Sequence, residues 1–145
     1  MNQSKDNTCT LCKIAKHELS AVIVHEDEDV IAILDLYPAT SGHILVLPKQ
    51  HIENVYVMPV KTGRRIMEVA LALSRAVKHE LSPTGMNLIQ SNEAAGGQTI
   101  NHFHLHIVPR YEHDPVVLKF GHGSKPADNT ELERLGALLR AAYKK

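Results

Sequence analysis

The sequence predicts an α+β fold, in which five short strands form an antiparallel sheet beside one long helix, with shorter helices near both ends of the chain. Five short apolar segments, most of them rich in β-branched residues and bounded by turn-forming residues, indicate the strands. Most links between successive strands are short, which favours antiparallel pairing. One long segment with helical spacing lies between the third and the fourth strand.

Composition places the chain among ordinary globular domains. Its 145 residues correspond to one domain, 43% of them are hydrophobic and 22% are charged, and 16 basic residues balance 16 acidic ones. These values exclude a disordered chain and a collagen. The longest apolar runs, such as residues 30–34, are far shorter than the ~18 residues of a membrane helix. The zero net charge gives no electrostatic reason to expect binding to long nucleic acid.

The N-terminal part of the chain predicts a short helix followed by a hairpin. Residues 11–16 have the spacing of a short helix. Residues 21–25 and 30–34 are rich in β-branched side chains, and the acidic turn at 26–29 joins them, which is typical of an antiparallel hairpin. A loop at residues 35–42 follows.

The middle of the chain predicts the third strand and the long helix. Residues 44–47 form the strand, which Pro48 closes. Residues 59–80 form the helix, with Pro59 in its first turn and Pro83 beyond its end. Its apolar side chains recur at helical spacing on one face: Ile66, Val69, Ala70, Leu73, Ala76 and Val77.

The C-terminal part predicts two further strands and a helix. Residues 86–90 form the fourth strand and residues 102–108 the fifth, with a glycine-bearing loop at 91–99 between them. Residues 121–129 are a flexible connection. The pattern Thr130-x-x-Glu133 is a capping box, which begins a helix with these apolar residues: Leu132, Leu135, Leu138, Leu139 and Ala142.

The predicted fifth strand is the most informative stretch, because histidine alternates there with apolar residues. Side chains alternate between the two faces of a strand, so His102, His104 and His106 share one face. At ~3.3 Å per residue the outer two stand ~13 Å apart, so one metal ion cannot easily take all three from a straight strand. Besides a catalytic role, the pattern allows a merely polar strand face or a His-x-His-x-His zinc site.

The cysteines form a second pattern. Cys9 and Cys12 are the only two, with C-x-x-C spacing. The polar residues 1–7 have no apolar signal-peptide core, so we expect a cytoplasmic protein with reduced thiols. There, such a pair is more often a metal clip or a redox site than a structural disulfide. A thioredoxin-like pair follows a strand, and no predicted strand precedes Cys9.

Residues 102–108 resemble the signature of the histidine triad (HIT) family at every position. The resemblance extends upstream. Residues 96–99, Gly-Gly-Gln-Thr, resemble the phosphate loop of that family, and residues 42–49 resemble its earlier strand with a fourth histidine. The N-terminal Cys-x-x-Cys-Lys-Ile and residues 48–54 are similar to the bacterial Hit branch. The match covers about residues 9–110 of a single domain, 1–145, in which residues 111–145 are a C-terminal extension.

The resemblance implies a HIT-like fold and a nucleotide hydrolase or nucleotidyl transferase. The central histidine, here His104, attacks the α-phosphate of a nucleotide and forms a covalent nucleotidyl-histidine. Water then releases the nucleoside monophosphate. His106 and His43 contact the phosphate oxygens and hold the hydrogen bonds of the site. Related transferases carry glutamine at the position of His106, which favours water as the final acceptor here.

The resemblance also implies a set of nucleotide-binding residues. Asp35 takes the ribose hydroxyls, and Asn92 contacts a phosphate or the ribose. Gly97 lets the backbone approach the phosphate closely, while Gln98 and Thr99 contact the α-phosphate and the leaving-group side. The purine base is expected among four aliphatic residues: Ile31, Ile33, Leu34 and Leu36.

The cofactor implied by the resemblance is one structural Zn²⁺ per chain, with no catalytic metal. Two cysteines and two histidines are its expected ligands: Cys9, Cys12, His51 and His102. Because the family forms two-fold dimers, we expect a homodimer, with residues 59–80 and 86–90 at its interface. No membrane partner is expected.

The substrate class stays open at the level of sequence. The bond cleaved is either P–N, as in purine nucleoside phosphoramidates, or P–O–P, as in dinucleoside polyphosphates. The strand ending Val108-Pro109-Arg110 is similar to the Fhit branch, which leans towards dinucleotides. Two alternatives are a nucleotide-binding regulatory module with incidental turnover and a zinc-dependent hydrolase with the metal on the three histidines.

Overall fold

The computed structural model describes residues 7–120 and 125–143, and its centre is one five-stranded sheet. The strands are β1 (Ile23–Glu26), β2 (Val30–Leu34), β3 (Ile44–Pro48), β4 (Gly85–Gln90) and β5 (Leu105–Arg110). Their order across the sheet is β1-β2-β3-β5-β4, and all neighbouring pairs are antiparallel. The helices are α1 (Thr10–Ala15), α2 (Val60–Leu81) and α3 (Asn129–Ala142), and 3₁₀ turns span Val55–Val57 and Ala94–Gly96. The predicted α+β class and five-stranded antiparallel sheet are confirmed.

The long helix α2 covers one face of the sheet. It buries four of the six residues of the predicted apolar stripe, Ile66, Val69, Ala70 and Val77, and Leu73 packs partly buried beside them. They meet strand residues that include Val46 and Ile107 in one core. Ala76 was also expected on this stripe but is exposed, because successive residues of a helix point in different directions and the direction of Val77 is the one that faces the sheet.

The short helix α1 lies on the opposite face of the sheet. Its Leu11 and Ala15 pack against Ile31 and Leu47 in a second core. Since Ile107 of β5 belongs to the core under α2, the neighbouring His106 projects from the α1 side. The α1 side of the sheet therefore carries His106, one of the residues expected to be catalytic.

The fifth strand begins later than predicted. The expected strand was 102–108, whereas β5 spans Leu105–Arg110. Before it, the chain leaves the sheet ladder, because the N–H of Phe103 donates to the Ile52 carbonyl over 2.7 Å and the His102 ring bonds the Pro48 carbonyl over 2.8 Å. The three histidines are consequently not residues of one straight strand.

Two turns position the strands that flank the site. In the β1–β2 turn, Oδ1 of Asp27 accepts from the N–H groups of Asp29 and Val30, both over 2.9 Å. In the loop before β3, Gly42 has φ +86°, and a Cβ at this position would collide with the Leu81 side chain at the end of α2. Any other residue would be strained by this φ and would displace the Leu81 side chain, so glycine suits the position directly before the histidine that precedes β3.

The C-terminal helix α3 begins at a different cap from the one predicted. Asp128 is the N-cap, and its carboxylate accepts from the N–H of Glu131 over 3.1 Å. The capping box at Thr130 is therefore wrong by two residues, since aspartate is the stronger N-cap and its charge favours the positive end of the helix dipole. No side chain of α3 is buried.

Some expectations fall on residues outside the described ranges. These are most of the polar N-terminal segment 1–7 and residues 121–124 of the predicted connection; residues 125–128 of that connection have no regular structure. Within residues 7–120 and 125–143, no helix has the length and apolar character needed to cross a lipid bilayer.

Candidate functional site

Three histidines meet where β3 and β5 run side by side. His43 directly precedes β3, and His106 pairs with Leu45 across the ladder. Nε2 of His43 lies 2.8 Å from Nδ1 of His106, and the ring centroids of His104 and His106 are 4.9 Å apart. His43 and His104 are 6% and 8% exposed, so both rings are shielded from water. The structure thus brings together the three residues expected to be catalytic.

Hydrogen bonds indicate which ring nitrogen of each histidine donates and which accepts. The N–H of Ala39 donates to Nδ1 of His43 over 3.0 Å, so the ring proton of His43 is on Nε2 and is donated to Nδ1 of His106. His106 therefore carries its own proton on Nε2. Nδ1 of His104 donates to the His102 carbonyl over 2.6 Å, which leaves a lone pair on Nε2 of His104. The site combines a nucleophilic nitrogen with a neighbouring imidazole donor.

Burial keeps two of these rings neutral at pH 7. Burial lowers the pKa of His43, the nearby Asp35 carboxylate opposes this shift, and His104 adds to it. Burial also lowers the pKa of His106 to about 4, with smaller contributions in the same direction from His104 and His43. His43 therefore donates from Nε2 to Nδ1 of His106 near neutral pH.

Asp35 lies beside His43, at the end of the row of histidines. Its Oδ2 is 3.6 Å from Nδ1 of His43, and its Oδ1 accepts from the N–H of Tyr37 over 2.9 Å. Asp35, His43 and His106 hold donor atoms within 4.8 Å of one another, which bears on the alternative of a metal on the histidines. The short contacts use different nitrogens of His43, one towards Asp35 and the other towards His106. Asp35, His43 and His106 thus lie one after another instead of surrounding a common point, which does not favour one metal ion bound by all three.

An apolar pocket of about 660 Å³ opens next to Asp35. Three of the four aliphatic residues expected around the base line it, namely Ile33, Leu34 and Leu36. Ile31 does not, because it is fully buried under α1. The other walls come mainly from the α1 region and from loops, and sequence reasoning missed them: Leu11, Ile14, Val22, Tyr37 and Ile100. Their apolar side chains carry no signal that distinguishes a pocket wall from a core.

The glycine-bearing loop lies beside the segment that follows β3. Gly97 has φ +86°, the left-handed conformation that glycine adopts without strain. Oδ1 of Asn92 accepts from the N–H of Val55 over 2.8 Å, and the side chain of Gln98 bonds to backbone groups. Thr99 lines a separate pocket of about 340 Å³ together with Cys9 and His51. The side chain of Asn92 also exchanges two hydrogen bonds with that of Gln90 at the end of β4. The polar groups of Asn92 and Gln98 thus bond to the loop itself, to its two flanking residues Gln90 and Ile100, and to residues 53–55.

The two cysteines and two histidines expected to bind metal converge. Sγ of Cys12 lies 3.1 Å from Nδ1 of His51 and 3.3 Å from Nδ1 of His102. Sγ of Cys9, the N-cap residue of α1, lies 3.5 Å from the same nitrogen of His102. All four donor atoms lie within 4.8 Å of one another.

This cluster has the donor set and spacing of a zinc site. With Zn–S of about 2.3 Å and Zn–N of about 2.0 Å, ligand atoms around a tetrahedral ion lie roughly 3.3–3.8 Å apart. The observed contacts are close to that range. Nε2 of His102 donates to the Pro48 carbonyl over 2.8 Å, so Nδ1 is the lone-pair nitrogen that faces the sulfurs. No side-chain pattern could have identified this carbonyl.

Comparison with known proteins agrees with these observations. Residues 16–113 match the family model for the HIT domain. The chain is 40% identical over 103 residues to protein hit of Bacillus subtilis, covering 71% of each chain. Its structure is similar to the crystal structure of a HIT family protein from Bacillus anthracis, with a TM-score of 0.89, 32% identity, and coverage of 95% of this chain and 99% of that one.

Other similar proteins have names that state an activity or a ligand. The adenosine 5′-monophosphoramidase hnt1 of Schizosaccharomyces pombe is 28% identical over 137 residues, which cover 94% of this chain and 99% of that protein. The adenylylsulfatase HINT3 of Arabidopsis thaliana is 34% identical over 108 residues, which cover 74% and 55%. A zinc-bound histidine triad family protein from Mycobacterium smegmatis has a TM-score of 0.73 at 31% identity, with coverage of 95% and 99%.

Proposed function

Because the chain belongs to the HIT family, we propose that it hydrolyses purine nucleotides substituted at the α-phosphate, through a covalent intermediate on His104. The observation that carries this proposal is the pairing of an imidazole lone pair on Nε2 of His104 with the N–H of His106. An N–H at this position can stabilise the charge that develops on phosphate oxygens.

The proposed reaction has two displacements at phosphorus. In the first, Nε2 of His104 forms a P–N bond while the bond from phosphorus to the leaving group breaks. In the second, water attacks phosphorus and the P–N bond breaks, which returns the lone pair to His104. Over both steps, water supplies the new hydroxyl of the monophosphate and the proton of the released group. Splitting one displacement into two easier ones is the advantage of a covalent intermediate.

The apolar pocket beside Asp35 supports a nucleoside as the recognised group. Its aliphatic walls suit the faces of a purine, and Asp35 stands at its edge, where a ribose hydroxyl could donate to the carboxylate. With the base in the pocket and the ribose at Asp35, the α-phosphate would lie at the row of histidines, because Asp35 is 3.6 Å from His43.

Phosphoramidates are the favoured substrate class. Dinucleotides were favoured by the sequence of the strand that ends at Arg110. In the structure, the guanidinium of Arg110 donates hydrogen bonds to three partners: the carboxylate of Asp114, the side chain of Asn87 and the carbonyl of Val116. Arg110 therefore has a structural role here. Among the similar proteins, one is named for cleaving a phosphoramidate and one for cleaving an adenylyl sulfate.

Product analysis tests this proposal. Purified protein is incubated with an adenosine phosphoramidate and, in parallel, with a diadenosine polyphosphate. We expect release of AMP from both, faster from the phosphoramidate. Binding of AMP without release of AMP from either compound would contradict the proposal and would favour the nucleotide-binding regulatory module.

The cysteine cluster is proposed to hold one structural Zn²⁺ per chain. Cys9, Cys12, His51 and His102 would tie the N-terminal helix to the segments that follow β3 and precede β5. Bound there, the ion supplies cross-linking of these segments. A reducing compartment such as the cytoplasm keeps both thiols available as ligands.

We expect a homodimer through α2 and the edge strand β4. An edge strand needs a partner or protection, and α2 and β4 both expose apolar side chains, among them Leu71 of α2 at 45% and Leu88 of β4 at 42%. Ala72 and Ala76 are exposed on α2, so a glutamate at either position is compatible with the fold of one chain. Near a two-fold axis, each new charge would face its own copy.

Light scattering measures the predicted assembly. Wild-type protein should have about twice the chain mass of 16.1 kDa, and Ala72→Glu or Ala76→Glu should shift it towards the monomer. Ala127→Glu, at an exposed position before α3, is the matched control and should stay dimeric. A monomeric wild type at micromolar concentration would contradict the dimer.

A further inference from the structure

The glycine-bearing loop contains a strained residue that is not a glycine. Glu93 has φ 62° and ψ 168°, a combination that glycine adopts readily and residues with a Cβ adopt rarely. It immediately precedes the 3₁₀ turn Ala94–Gly96. Such a conformation persists only where the surroundings hold it.

The side chain of Gln98 supplies that restraint. Its Oε1 accepts from the N–H of Glu93 over 2.8 Å. Its Nε2 donates to the carbonyl of Glu53 over 2.6 Å and to that of Ile100 over 3.0 Å. The backbone N–H of Gln98 also donates to the Glu93 carbonyl over 3.1 Å. Glu93 is thereby clamped on both sides of its α-carbon.

The bonds of Gln98 leave its amide without a donor for a ligand. An amide nitrogen carries two hydrogens, and both are used by backbone carbonyls. These carbonyls belong to the two segments next to the cysteine cluster, since Glu53 follows His51 closely and Ile100 precedes His102. The amide therefore joins the loop to the part of the protein that the expected metal would hold rigid.

We propose that Gln98 is a positioning residue, which holds Glu93 in its strained conformation and so presents the Gly96-Gly97 turn to the phosphate of the nucleotide. This inference rests on the proposed function, and it differs from the expectation that Gln98 itself contacts the α-phosphate. When the clamp is lost, the backbone at Glu93 relaxes, and the nucleotide must restore the loop at the expense of its own affinity.

Three variants test the clamp: Gln98→Ala, Gln98→Ala with Glu93→Gly, and Gln98→Ala with Glu93→Ala. Gln98→Ala should raise the Kd for AMP and the KM roughly tenfold, the size typical of one strained residue, with kcat within about twofold because no reacting atom is touched. Glu93→Gly should restore most of the affinity, because glycine adopts the required conformation without strain. Glu93→Ala removes the same carboxylate but keeps the Cβ, so it should not restore affinity.

Amide hydrogen exchange provides a readout that needs no nucleotide. In Gln98→Ala, the N–H groups of Glu93, Gly96 and Gly97 should exchange faster than in the wild type, while those of β5 stay protected. Unchanged exchange in the loop would overturn the proposal. So would a fall in kcat that Glu93→Gly does not restore, which would mean that Gln98 contacts the reacting phosphate. A wild type that neither binds AMP nor releases it would refute the proposed function, and the exchange result would still decide whether the clamp exists.

Discussion

Replacing His104 with alanine should abolish turnover while nucleotide binding survives. The proposed reaction depends on the lone pair at Nε2 of His104, which the hydrogen bond from Nδ1 to the His102 carbonyl keeps available. Losing a covalent nucleophile typically costs roughly four to six orders of magnitude in kcat. The apolar pocket and the glycine-bearing loop stay intact in this variant, so the Kd for AMP should change little. AMP release and calorimetric titration with AMP measure the two quantities separately.

The matched control is the same substitution at His79, an exposed histidine of α2 that pairs with Glu80. His79→Ala should leave both turnover and AMP binding unchanged. Rapid acid quenching of the wild type, followed by peptide mass analysis, should also find the nucleotide attached at His104. Near-normal kcat in His104→Ala, or an adduct on another histidine, would show that the proposed mechanism is wrong.

Removing the cysteine ligands should cause the largest loss of stability. Wild-type protein purified without chelator is expected to contain one Zn²⁺ per chain, and the double variant Cys9→Ser with Cys12→Ser none. An ion that binds only the folded chain stabilises it by roughly 4 kcal/mol when it is present at a thousand times its Kd. For a chain of this size such a loss lowers the Tm by about 10 °C. Metal analysis measures the zinc content per chain, and calorimetry measures the change in Tm.

A chelator distinguishes loss of the metal from damage caused by the substitutions. It should lower the Tm of the wild type to near that of the double variant and should leave the variant itself unchanged. Since the three catalytic histidines do not need the ion in the proposed reaction, kcat should fall less than stability does. Zinc that stays bound in the double variant would show that the metal binds elsewhere. That result would favour the alternative of a zinc-dependent hydrolase with the metal on the three histidines.

The parts of the fold that follow from apolar periodicity could be predicted from the sequence. The stripe of α2 that includes Ile66 and Val69 and the hairpin of β1 and β2 were predictable, because burial of one face imposes a regular spacing. The start of β5 was not. There, the His102 ring and the N–H of Phe103 bond to the chain beyond β3, and these long-range contacts end the ladder before local alternation does.

The site residues could likewise be predicted where the residue types themselves are distinctive, and not where long-range contacts decide. The residue types of the cysteine cluster and of the three histidines are visible in the sequence, and the structure brings each set together. The role of a side chain such as Gln98 is not visible, because its partners are backbone atoms distant along the chain. Nor could the burial of Ile31 be separated from the pocket lining of Ile33, since both are aliphatic residues of the same face of β2.

The order of strands has a consequence for synthesis of the chain. β5 is made last among the strands but lies between β3 and β4, so these two strands pair with its opposite edges. Until residues 105–110 leave the ribosome, β3 presents an unpaired edge of buried aliphatic residues, which is a template for aggregation. His106 lies in β5, and His102 and His104 lie in the three residues directly before it. Closure of the sheet and the meeting of His104 and His106 with His43 are therefore one late event in folding, and the proposed reactive centre forms only as the core is completed.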